Sequence, residues 1–385
     1  MLVIKQARLY TPKPEGVQDI LVEGGKIARI APAINEYDGI PEVEKMQLDG
    51  RRLAPGYIDC HEHITGGGGE QGPRTRVPEA RLSTIFQCGV TTVLGLLGTD
   101  GITRSLENLQ AKCQALNEEG LSCYMLTGSY ANPGPTLTGN VERDIMLIHE
   151  VIGVKVAMSD HRSSNITGEE LIRLGTLARR GGMLAGCAGL VTIHTGSGKA
   201  GLAPIFYALE NSDLPLSTFL PTHVGRNDDL FSQALTYAKM GGRIDITAGS
   251  SKEANEKVAD KICQYLEKDP LLLQLSLSSD AYGSQPRFNE KMECIGLTYA
   301  TPHSLHEVIR ILVKERQVPL ETALRLLTTN PAQNMGLQQI KGKIAPEYDA
   351  DFVVYDDDLA ITGVLAKGKK AVWDGKVLMK GTFEE

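Results

Sequence analysis

The 385-residue chain is short of positive charge: 40 Lys and Arg stand against 47 Asp and Glu, for a formal net charge of -7. Nucleic acid or anionic membrane as main partner would call for a basic surface, so the deficit points to a small-molecule substrate. Long apolar runs are also missing. No stretch approaches the ~18 uninterrupted apolar residues of a membrane span. The opening "MLVIKQARLYTPKPEGVQD" breaks at Lys5 and Arg8, before a signal-peptide core of ~7–15 apolar residues can form. Cysteine is sparse: there are seven, an odd number, without a C-x-x-C pair. That pattern argues for reduced thiols and a cytoplasmic protein. Cys60 reads as a small buried strand residue rather than a ligand.

What is present is ordinary globular composition, with 23% charged and 42% hydrophobic residues. The length suits one barrel of ~250 residues with an appended module. Near the start, "DILVEGGKIARIAP" reads as a hairpin turning at Gly24-Gly25. Near the end, "DADFVVYDDD" and "KGKKAVWDGKVLMKG" read as further strands, with Asp374-Gly375 as a turn. Residues 1–54 together with 345–385 are therefore expected to form a small β-sandwich module built from both termini.

Residues 55–344 alternate apolar runs with helix-period segments, the mark of βα repeats and a parallel sheet. The runs are "GYIDCHEH", "TTVLGLLGT", "SCYMLTGSY", "VIGVKVAMSD", "GLVTIHTG", "TFLPTHVGR", "RIDITAG" and "LLQLSLSSD". Helices are expected over Arg104 to Glu118, Glu169 to Arg180, Asp229 to Met240 and Glu253 to Lys268. The fold class is α/β, a (β/α)8 TIM barrel, and polar residues closing its strands are the expected active-site positions.

His61 and His63 lie two apart on the first run, so alternation sends both side chains to one face. His194 closes the fifth run, His223 the sixth and Asp280 the eighth. Converging imidazoles and a carboxylate suit zinc or a similar borderline ion, one held tightly or two sparsely. Lys155, inside the fourth run, bears on that choice. Buried, its amine loses its proton and can add carbon dioxide to become a bridging carbamate. Otherwise it snorkels out or pairs with Asp160. The other histidines have bland readings: His149 and His306 on helix surfaces, His303 near a cap, and His161 beside Arg162 in a loop.

"PGYIDCHEH", Lys155, His194, His223 and Asp280, with the tail "TTNPA…GKIAPEYDADFVVYD", resemble the amidohydrolase superfamily. Within it, "HITGGGGE", "GLLGTDG", "MLTGSY", "SDHRS", "PTHVGRN" and "LSSDAYGSQP" are similar to the isoaspartyl dipeptidase family over almost the full chain. The resemblance implies two zinc ions per subunit. His61 and His63 would hold one, His194 and His223 the other, with carbamylated Lys155 and a hydroxide bridging and Asp280 at the first. Asp280 would act as base and then acid, and Tyr130 would stabilise the oxyanion unless it is only a rim aromatic. It also implies a homo-oligomer, an octamer.

The loop "GGGGE" then has a task. Gly66 to Gly69, among them Gly68 and Gly69, would wrap a small ligand with their N–H groups on its carboxylate, while Glu70 binds its ammonium. Arg162 and Arg226 would grip the C-terminal carboxylate of a dipeptide, each otherwise forming an ordinary salt bridge. Thr99 and Ser284 would contact the α-carboxylate of a β-aspartyl unit. The competing expectations are a dihydroorotase- or hydantoinase-type hydrolase of cyclic amides, and a catalytically silent scaffold.

Overall fold

The computed structural model describes residues 1–288 and 294–385. Its centre is a parallel barrel of the strands Tyr57–Glu62 (β1), Val90–Gly95 (β2), Ser122–Gly128 (β3), Val151–Met158 (β4), Leu190–Thr195 (β5), Phe219–Thr222 (β6), Ile244–Thr247 (β7) and Leu275–Ser278 (β8). β1 to β6 hydrogen-bond in chain order, and β7 pairs with β8. Two seams close the ring. Val224 N–H reaches Asp245 O at 3.3 Å between β6 and β7, and His63 N–H reaches Ala281 O at 2.9 Å between β8 and β1. The expected (β/α)8 barrel is therefore the fold.

These strands are buried on both faces, which is why they read as near-continuous apolar runs; every residue of β4 is buried. The outer helices start where their capping residues stand. Ser105 caps Leu106–Glu118, Asn227 caps Asp228–Lys239 and Ser251 caps Lys252–Leu266, each side-chain oxygen accepting a backbone N–H of the first turn. Thr167 and Glu170 form a reciprocal capping box before Gly168–Ala185, which ends at Gly186 in the left-handed region that glycine tolerates. All four expected helices are present, within a few residues.

The terminal strands form one nine-stranded sheet curled round its own core, which includes Ile4, Leu9, Ile20, Val22, Leu53, Phe352 and Val354. Both hairpins occur, Pro14–Glu23 with Lys26–Ala31 and Lys369–Trp373 with Lys376–Val377. Arg52–Pro55 pairs with Phe352–Tyr355, so the first barrel strand grows directly out of the terminal sheet.

His306 sits at that junction and corrects the helix-surface expectation. Tyr355 O–H donates to the Tyr57 hydroxyl at 2.7 Å, Tyr57 O–H to His306 Nδ1 at 2.9 Å, and His306 Nε2–H to Leu359 O at 2.7 Å. His149 is corrected too: it lies exposed in a turn beyond the helix Val141–Leu147. Cys60 is buried on β1 as expected. A further hairpin, Ser284–Phe288 with Cys294–Tyr299, follows β8 and was not anticipated.

Candidate metal and substrate site

Strand ends bring the four histidines together. The His61 and His223 rings lie 4.9 Å apart, His194 and His223 4.6 Å, and His61 and His63 5.8 Å. Asp280 Oδ1 is 3.1 Å from His63 Nε2 and 3.5 Å from His61 Nε2. These three side chains form a ready group of metal donors. His223 and Asp280 both hold positive φ, 63° and 50°. Left-handed backbone at non-glycine residues costs energy and concentrates at functional sites.

Lys155 rises from β4 into the same space, fully buried, with Nζ 2.9 Å from His61 Nε2. It neither snorkels nor pairs with Asp160. Burial lowers its pKa to about 7, so its amine is available in neutral form near neutral pH. Burial also pulls His61 and His223 well below the ordinary histidine value, and His194 to about 3. Burial opposes the charge on Asp280, but His63, His61 and Lys155 outweigh it and hold the carboxyl well below its usual range. Neutral imidazoles beside an ionised carboxylate are the protonation states that ligation requires.

The donor set fits a divalent metal on a second count. Among the described residues His223 Nε2 is buried without a hydrogen-bond partner, while its Nδ1 is held 2.5 Å from Thr247 Oγ1. An orphaned buried nitrogen whose ring is oriented from the other side is the usual arrangement of a ligating histidine.

Above the donors, a pocket of about 40 Å³ is walled by His63, Gly68, Glu70, Thr99, Tyr130, Arg162, His194, Arg226, Asp280 and Ser284. It adjoins a cavity of about 810 Å³. Glu70 accepts hydrogen bonds from Ser284 Oγ at 2.7 Å and Thr99 Oγ1 at 3.3 Å, so both hydroxyls rest on the protein's own carboxylate. Tyr130 is buried, its hydroxyl 2.6 Å from His194 Nδ1.

Two local expectations change. The glycines are not a nest of free donors, because Gly66, Gly67 and Gly69 donate to His63 O, Tyr282 O and Thr75 O. Among the described residues only Gly68 of the four keeps its N–H unpaired. Gly66 and Gly68 are required by space and by φ of 77° and 80°: a Cβ would lie 2.1 Å from Val77 O in one case and 2.4 Å from Thr75 O in the other. The loop is thus a tight turn that delivers Glu70. The two arginines also differ. Arg162 spends its Nε and Nη2 on Asp160 at 2.9 and 2.8 Å, leaving Nη1 3.5 Å from Glu70. Arg226 lines the cavity with no partner among the described residues.

Three carboxylates to which the sequence reading gave no place in the site brace it. Asp160 joins Arg162 to His194 Nε2, the latter at 2.9 Å. Asp245 is buried in the barrel floor, accepting from Thr222, Ser276 and Ser278 at 2.6 Å each. Asp59 accepts from the Ser279 hydroxyl and from His61 N–H at 3.2 Å, bracing β1 against β8. Asp160 and Thr247 each stand at or near the end of an apolar run, the same signal that found Asp280.

The amidohydrolase family Amidohydro_3 matches residues 288–371. Among solved structures, the beta-aspartyl dipeptidase of the thermophilic, keratin-degrading Fervidobacterium islandicum AW-1, in complex with beta-Asp-Leu dipeptide, is 41% identical. Its TM-score is 0.91, with 98% of this chain and 97% of that one covered. A D-hydantoinase shares the fold at TM-score 0.61 and 18% identity, covering 100% of this chain and 98% of its own. The adenine deaminase of Petrotoga mobilis (strain DSM 10674 / SJ95) is 24% identical over 98% of this chain, which spans only 59% of that relative's length. Identity of 41% across nearly the whole of both chains is a relation of membership, and the chain belongs to the beta-aspartyl dipeptidase family within the amidohydrolase superfamily.

Proposed function

We propose that the chain hydrolyses β-aspartyl dipeptides at a site holding two zinc ions. The observation that carries this reading is Glu70, whose carboxylate, 26% exposed, faces the same small pocket as Asp280 and the histidines. A carboxylate there suits a free α-ammonium one short residue away from a scissile side-chain amide. The likeness to a relative in complex with beta-Asp-Leu dipeptide supports the same substrate class.

His61, His63 and Asp280 would hold one ion and His194 and His223 the other, with Lys155 between them. The neutral Lys155 amine would attack carbon dioxide, forming a C–N bond and releasing a proton, and the carbamate would offer carboxylate oxygens as metal donors. Two such ions would supply an acidified water and polarise the substrate carbonyl. The chain's own residues do the rest. Asp280 takes the proton of the attacking water and returns it to the leaving amine. Tyr130 donates its hydroxyl to the developing oxyanion. Glu70 holds the α-ammonium, and Ser284, Thr99 and Gly68 N–H line the α-carboxylate. Arg226, with the Nη1 edge of Arg162, receives the C-terminal carboxylate. In this reading residues 55–344 are the catalytic barrel, and the enzyme is a cytoplasmic homo-oligomer with reduced thiols.

Turnover of β-Asp-Leu against α-Asp-Leu is the test. An α-linked peptide has its α-carboxyl tied up in the bond to be cut, so it loses one charged anchor and shifts the scissile carbonyl by about one bond, a misplacement that can cost ~10²-fold. Hydrolysis of the β isomer alone is expected. Equal rates on both would return the chain to the broader amidohydrolases.

A further inference from the structure

We propose that Asp160 is a positioning residue that ties the cavity arginine Arg162 to the histidine His194 on the neighbouring strand. The inference rests on the reading above, with His194 as a metal donor and Arg162 as part of the substrate wall.

Asp160 stands in the turn that follows β4, at the rim of the large cavity, yet its side chain is only 4% exposed. Both oxygens are fully engaged. Oδ1 accepts from the Arg162 backbone N–H and from Nε, each at 2.9 Å. Oδ2 accepts from Arg162 Nη2 at 2.8 Å and from His194 Nε2 at 2.9 Å.

The turn has little freedom to move. Ser159, just before it, holds φ of 55°. Its hydroxyl donates to Gly201 O at 2.8 Å, and its carbonyl accepts from Gly198 N–H at 2.6 Å. Gly196 packs so closely that a Cβ there would lie 2.5 Å from Asp160 Cβ. The loop after β5 therefore clamps the loop after β4 with Asp160 between them.

Two consequences follow from the donor rules. A carboxylate only accepts, so His194 must carry its proton on Nε2, which leaves Nδ1 as the lone-pair nitrogen on the interior side, next to Tyr130. Arg162, with its Nε edge held, keeps for the cavity the two hydrogens of Nη1 and the second hydrogen of Nη2. One oxygen thus serves both the substrate wall and a metal donor.

Asp160→Asn is the direct probe because it preserves volume and cannot satisfy both partners. Whichever way the amide lies, its NH2 group meets N–H donors: the Arg162 backbone and Nε on one side, Nη2 and His194 Nε2 on the other. The experiment compares zinc-loaded wild type, Asp160→Asn, Arg162→Met and the double variant. It measures zinc release to a chelator, the KM and kcat for β-Asp-Leu, and Tm.

We expect Asp160→Asn to hold zinc ~10- to 100-fold more weakly, the usual cost of losing an outer partner of a ligating histidine, and to release it correspondingly faster. Arg162→Met should raise KM while releasing zinc at the wild-type rate. In fully zinc-loaded protein the double variant should have a KM no higher than Arg162→Met alone, because Asp160 reaches the substrate's carboxylate only through that arginine. Wild-type zinc retention in Asp160→Asn, with only a lower Tm, overturns the proposal, as do KM effects that multiply in the double variant. Zinc release needs no substrate, so it decides the matter even if β-Asp-Leu is not cleaved and the substrate reading fails. Should Asp160→Asn not fold, Asp160→Ser, which is smaller and can accept one bond, carries the same measurement.

Discussion

Glu70→Gln removes one negative charge from the wall of the small pocket and leaves its shape unchanged. In the free protein that charge faces two hydroxyls and, at 3.5 Å, Arg162 Nη1, so its loss leaves no buried group stranded and Tm should hold. In the complex it would meet the α-ammonium of the substrate. A hydrogen bond to a charged group is worth ~1.5–3 kcal/mol. Because the side chain is about a quarter exposed and already partly balanced by Arg162, the lower part of that range applies, roughly a 10- to 30-fold fall in kcat/KM for β-Asp-Leu. The assay is steady-state hydrolysis at low and high salt, with N-acetyl-β-Asp-Leu in parallel. The acetylated dipeptide should be a poor substrate of wild type, and Glu70→Gln should make it no poorer. A loss under twofold with the free dipeptide, or an equal loss with both, would refute the pairing of Glu70 with the amine.

Asp280→Asn should lower kcat by ~10²–10⁴-fold, the range of one proton-transfer group, with a modest change in KM; a wild-type kcat removes Asp280 from proton transfer. Lys155→Ala should lose most activity and bound metal, regained in part with zinc and small carboxylic acids. Since burial lowers the Lys155 pKa to about 7, the neutral amine dominates above that pH. Metal-stripped wild type given zinc and the same concentration of dissolved carbon dioxide at each pH should therefore regain activity faster at pH 8 than at pH 6, and equal rates argue against a carbamate. His306 carries a stability prediction: burial lowers its pKa from 6.5 to about 4. Between those values the unfolded chain takes up the proton first, so stability is lost as pH falls through the window, by ~3 kcal/mol at pH 4. In thermal melts His306→Gln should lose less Tm than wild type between pH 7 and pH 5, and identical slopes would contradict this.

The sequence by itself determined the barrel and which side chains gather at its mouth. Period-2 alternation fixes which way a strand residue points, and a polar residue closing an apolar run can lie only at the barrel mouth. His61, His63, His194, His223 and Asp280 were legible because each carries that local signal, and Lys155 because a lysine inside an apolar strand run is out of place there. Only the tertiary structure decided how the remaining groups are used. Whether a glycine N–H is free depends on which carbonyl lies opposite it, and Thr75 and Tyr282 come from the far side of the turn and from the loop after β8. Whether Arg162 grips a ligand or a neighbour depends on Asp160, and Asp160 in turn on a histidine 34 residues away on the next strand. His306 looked like a surface residue because its helix pattern cannot reveal that Tyr57 and Tyr355, 298 residues apart, meet on its ring. Side-chain direction is a local property of the backbone and is written in spacing. Hydrogen-bond partnership within 3 Å is set by ring closure and by the packing of distant segments, which no short stretch of sequence encodes.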